Sequence, residues 1–128
     1  MSTAINALMR FIEKSPTAFH AVTSCAEILE EQGYLHLGEH DEWKLEAGKG
    51  YYVTRNQSSI IAFRIPMADF NGFQIISSHS DAPCFKIKEN PEMMAEGHYV
   101  KLNVEKYGGL ICSTWFDRPL GVAGRVAL

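Results

Sequence analysis

A histidine and an aspartate two residues apart, His79 and Asp81, stand where an apolar run gives way to serines in IISSHSDAPCFKIK. A neutral imidazole ligates zinc well through one nitrogen when the other donates to an acceptor that fixes tautomer and ring orientation. Asp81 is the candidate acceptor, with Ser80 between them pointing elsewhere. The same spacing also fits a plain surface turn in which Asp81 bonds nearby backbone amides. A zinc site needs more than one protein ligand, and spacing alone identifies no second one. His36, His40 and His98 fall in loops or strands without a matching pattern. His20 lies beside the apolar stripe of a helix, where a histidine packs or caps more often than it ligates. Cys25, Cys84 and Cys112 are odd in number, far apart and form no CxxC pair. That argues against a disulfide framework or zinc knuckle and for reduced thiols packed as small apolar groups. Cysteine-based hydrolysis by Cys84 or Cys112 with a histidine is the weaker rival, since Cys84 follows Pro83 rather than opening a helix.

The elements that must hold these residues are legible as periodicities. Ile5, Leu8 and Ile12 recur at helical spacing and predict a helix from Thr3 to Lys14. Ser15 as N-cap, Pro16 at the first helical position and Gly33 as the stop predict a second helix. Its stripe is Phe19, Val22, Ala26 and Leu29, with Glu27, Glu30 and Glu31 facing solvent. YYVT and SIIAFRI, joined by RNQS, predict a hairpin. GFQIISS reads as a strand covered on both faces. That would set His79 at a carboxyl strand end, where α/β sheets gather functional groups. Residues 85–88 and 100–105 alternate as strands with one apolar face. NPEMMAEGH between them reads as an irregular excursion. Helices in front and mixed strands behind predict an α/β class, with a domain boundary near residues 85–95.

Composition narrows the function classes. With 128 residues the chain suits one ordinary domain. A net charge of −3 gives no reason to expect nucleic acid or an anionic membrane as partner. No apolar run approaches bilayer length, and MSTAINALMRFIEKS lacks the pattern of a secretory signal. A cytoplasmic protein is the expectation. The sequence stops at GVAGRVAL in an apolar-rich stretch without a polar tail, which suggests a fragment of a longer protein.

Three segments together, SPTAFHAV, SHSDAPCFKIK and YGGLICSTWFDRPLGVAGRV, strongly resemble the aspartyl aminopeptidase family of zinc metallopeptidases. The third is the most specific, because WFDR followed by AGRV is long and unusual in composition. The resemblance implies a catalytic α/β domain with two co-catalytic zinc ions, interrupted by a β-rich domain used in dimer and higher assembly. On that basis residues 1–88 are the front of the catalytic domain and residues 89–128 the start of the assembly domain. It implies removal of N-terminal residues, preferentially acidic, from peptides by a homo-oligomeric enzyme. It makes His79 a zinc ligand and Asp81 the catalytic-site residue that supports it. Trp115, Phe116, Asp117 and Arg118 are expected to be structural. Ser80 and Ala82 stand where the family commonly has threonine and serine; Pro119 replaces a usual aspartate, and Gly108-Gly109 is shorter than the usual glycine run. These changes touch local turns, not the ligand. The remaining ligands and the general base would lie downstream of residue 128, so the chain alone is expected to show no peptidase activity and no stoichiometric zinc. The rival to an enzyme is a non-enzymatic fragment that self-associates through exposed strands.

Overall fold

The computed structural model describes residues 3–128, which divide into two compact units. One contains the chain through Asp81 together with Ala123–Leu128; the other is Ala82–Val122. The class is mixed α/β. The boundary expected after residue 88 falls inside a strand of the second unit.

The first unit opens with α1, Thr3–Lys14, as its periodicity predicts. None of its residues is buried, and Ile5, Leu8, Met9 and Ile12 are exposed. Helix α2 is Ala18–Glu31. Its N-cap is Thr17, not Ser15: Thr17 is extended and its hydroxyl oxygen accepts from the His20 amide. Ser15 is diverted, its hydroxyl donating to the buried Ser24 at 3.3 Å, and Pro16 therefore precedes the cap. The other end follows expectation. Gly33 takes φ 79°, its amide bonds Glu30 O, and the Tyr34 amide bonds Leu29 O. This 6→1 and 5→2 pair satisfies the last carbonyls of the helix.

A mixed three-stranded sheet follows in the order β1-β2-β3. β1 is Leu35–His36, parallel to β2, Gly50–Arg55, which pairs antiparallel with β3, Ser59–Arg64. The predicted hairpin is thus present. Glycine is required at position 50, where an added Cβ would stand 2.6 Å from Tyr34 Cε1. Ala21 and Val22 of α2 and Tyr51 and Tyr52 of β2 form the buried core of this unit.

Tyr52 carries a polar tie as well as buried area, because its hydroxyl donates to the Glu30 carboxylate. Burial, then that hydrogen bond and the Glu30 charge, push the phenol up to about 12. A tyrosine raised in the folded state keeps its proton after the unfolded chain has lost it. Its contribution is therefore full below the ordinary value of about 10 and declines as pH climbs toward 12. Urea unfolding should show a loss on the order of 1–2 kcal/mol over that window, absent in Tyr52→Phe. Parallel stability curves for the two proteins would contradict the linkage.

The expected strand in GFQIISS is not formed. Residues 72–78 join no ladder, and Ile76 is 98 % exposed. An apolar run becomes a covered strand only when neighbours take up its backbone groups, and no described strand lies along this one.

The second unit is a ribbon of β4, Cys84–Ala95, and β5, Tyr99–Tyr107, paired antiparallel. The supposed excursion NPEMMAEGH is mostly strand. Ile87 pairs with Val104 and Glu92 with Leu102, so residues 88–91 bulge opposite Asn103 alone. A bulge is where a ladder can admit Pro91, which has no amide hydrogen. Glu96 and Gly97, at φ 53° and 70°, turn the ribbon. Leu110 is buried after it, and Trp115 and Phe116 pack against Phe85 with ring centroids 5.8 and 6.3 Å away.

Candidate metal centre

His79 and Asp81 lie in the first unit, on the segment that follows the unpaired apolar run. His79 Nδ1 is 3.1 Å from Asp81 Oδ1. A carboxylate only accepts, so in the neutral ring the proton of this bond sits on Nδ1 and Nε2 keeps its lone pair. The histidine side chain is 92 % exposed and the aspartate 36 %. Nε2 is thus open to solvent and to a ligand-seeking ion. Between them Ser80 turns away, its hydroxyl donating to the Ser58 carbonyl at 2.9 Å. The contact anticipated from spacing is present, on an exposed segment that belongs to no strand and bends at Ser80, rather than at the end of a buried strand.

The other histidines are not gathered here. His20 Nδ1 meets Thr17 Oγ1 at 2.8 Å, the capping arrangement. The His36 ring lies 4.9 Å from that of Tyr52. His40 borders an open groove with Trp43, Arg55 and Ile61, and His98 belongs to the turn of the second unit's ribbon. Among the described residues no three His, Cys, Asp or Glu side chains converge on a point where a metal could sit. The donor set therefore fits one zinc ligand with its supporting carboxylate, not a complete site. Thiol chemistry gains nothing from the geometry: Cys112 Sγ faces the Leu110 carbonyl at 4.0 Å, and burial raises the Cys25 thiol above its ordinary value.

Sequence reasoning overlooked the surroundings of Ser80. Arg125, in the AGRV stretch, donates to the Asn56 carbonyl at 3.1 Å in the β2–β3 loop. Its guanidinium also lies 4.2 Å above the Phe19 ring. AGRV was conspicuous as a motif, but nothing local in it indicates a partner 69 residues away.

A model of the family described as Aminopeptidase I zinc metalloprotease (M18) matches residues 11–128. The chain belongs to the M18 family. A probable M18 family aminopeptidase 2 of Clostridium novyi (strain NT) is 52 % identical over 125 residues, covering 96 % of this chain and 29 % of the relative. Among solved structures, mApe1 of Chaetomium thermophilum is similar with a TM-score of 0.82 and 38 % identity, over 88 % of this chain and 26 % of that one. The S. cerevisiae mApe1 dodecamer matches with a TM-score of 0.76 and 27 % identity, over 91 % and 28 % of the two chains. This M18 chain spans less than a third of the length of each of these proteins. No helix among its described residues is long and apolar enough to cross a membrane.

Proposed function

We propose that this chain supplies the front portion of a zinc-dependent aminopeptidase that removes N-terminal residues, preferentially acidic ones, from peptides. In this reading His79 offers Nε2 to one of two zinc ions, and Asp81 holds the ring through Nδ1. The observation that carries it is the 3.1 Å contact of an exposed imidazole with Asp81, within a chain matched by a zinc-peptidase family over residues 11–128. When bound, zinc acidifies a water and polarises the scissile carbonyl. The chain's own contribution is orientation. The carboxylate accepts the Nδ1 proton, fixes the tautomer and stops the ring from turning its donor nitrogen to the ion. The other ligands and the general base come from downstream sequence, so the chain alone neither turns over peptide nor holds stoichiometric zinc. The working enzyme is a homo-oligomer, a reading supported by the dodecameric relative, and in this proposal it works in the cytoplasm. The second unit, Ala82–Val122, begins the part used in assembly.

Joining this chain to the remaining length of the Clostridium novyi relative, in place of that protein's matching residues, tests the reading. The chimera should hold stoichiometric zinc and cleave an N-terminal aspartyl peptide, while the chain alone cleaves nothing and binds zinc only weakly, through His79. Two zinc ions per isolated chain, or an inactive folded chimera, would refute it. The rival, self-pairing through exposed strands, draws on the uncovered run at residues 72–78. It predicts association of the isolated chain that is indifferent to zinc.

A further inference from the structure

The loop that receives Ser80 is itself held from another side. Between β2 and β3 the chain turns through Asn56, Gln57 and Ser58, with φ 51° at Asn56 and 56° at Gln57. Asparagine takes this left-handed region readily; glutamine, with its longer side chain, does so rarely. Arg125 Nη1 spans the loop, donating to Asn56 O at 3.1 Å and to Gln57 Oε1 at 3.5 Å. The Phe19 ring of α2 supports its guanidinium from below. The next loop residue, Ser58, presents the carbonyl that accepts from the Ser80 hydroxyl.

The segment before His79 belongs to no ladder, so side-chain bonds must fix what regular pairing does not. We propose that Ser80 and Arg125 are positioning residues for His79: Arg125 holds the strained loop, the loop aims the Ser58 carbonyl, and that carbonyl anchors Ser80. The chain bends at Ser80, and with Ser80 committed to Ser58 the two side chains that flank it come together across the bend. There the imidazole and the Asp81 carboxylate meet. The catalytic meaning of this device rests on His79 being a ligand; the device itself operates without an ion.

The test uses the chain itself and two-bond proton–nitrogen correlation spectra, which report the neutral His79 tautomer directly. Wild type should carry its proton on Nδ1. Ser80→Ala should lose that preference and weaken zinc binding at His79 about tenfold in a titration with zinc chloride, and Ser80→Thr should restore both. Arg125→Ala should reproduce the Ser80→Ala spectrum. Adding Gln57→Gly to it should recover the wild-type tautomer, because glycine adopts positive φ without support. An unchanged tautomer in folded Ser80→Ala overturns the proposal. If Arg125→Ala does not fold, Ser80→Ala against Ser80→Thr still decides. Zinc that perturbs His79 equally in every variant refutes positioning but leaves the ligand reading intact. A tautomer that shifts in Ser80→Ala, with wild-type His79 indifferent to zinc, does the reverse.

Discussion

His79→Ala in the chimera with the Clostridium novyi relative lowers kcat/KM on an aspartyl peptide by about three orders of magnitude or more. The expectation follows from arithmetic. A catalytic metal contributes several kcal/mol of charge stabilisation, and each 1.4 kcal/mol or so is tenfold in rate. Removing a ligand forfeits much of that, whereas removing its support costs less. Asp81→Asn keeps the shape but replaces a pure acceptor by an amide, and should cost roughly 10–100-fold in zinc affinity. Steady-state kinetics with zinc titration separates the two: His79→Ala stays low at saturating zinc, while Asp81→Asn largely recovers. A chimera in which His79→Ala keeps wild-type kcat/KM would remove the imidazole from the chemistry altogether.

Tyr51→Ala is the stability counterpart. Tyr51 is only 2 % exposed, pairs across the hairpin with Phe63, and accepts the Glu46 amide on its hydroxyl at 2.9 Å. Emptying such a site costs about 3–5 kcal/mol, comparable with the whole stability of many small domains at roughly 5–15 kcal/mol. Tyr51→Phe, which keeps the ring and loses one hydrogen bond, should cost about 1 kcal/mol. Urea midpoints for the first unit give the order: wild type, then phenylalanine, then alanine far below. An alanine variant that unfolds with the wild type would mean that the core lies elsewhere.

What the sequence revealed was what local physics controls. Helix α1, the Gly33 stop and the β2–β3 hairpin announce themselves through spacing within a dozen residues, as does the His79–Asp81 contact. The errors share one cause, competition from a partner that spacing does not reveal. Ser15 is as good a cap as Thr17 until Ser24 takes its hydroxyl. The run at residues 72–78 has the composition of a buried strand, but composition says nothing about whether neighbours are present to cover it. The strand expected at residues 85–88 runs on to Ala95 because a bulge admits Pro91, and that bulge depends on the register with β5. Within the candidate site, the contact of His79 with Asp81 was legible while the bonds around it were not. Ser58 and Ser80 are 22 residues apart, and Asn56 and Arg125 are 69 apart.

That last separation bears on the order in which the molecule assembles. Chain closure grows costlier with the length enclosed, and contacts distant in sequence are a slow ingredient of folding. The hairpin and α2 can form on their own, before residues 123–128 have been recruited. The guanidinium clasp then arrives last, onto a loop already made. By the same reasoning it is among the first contacts to open when the native state fluctuates, and under the positioning proposal each opening would release the imidazole with it.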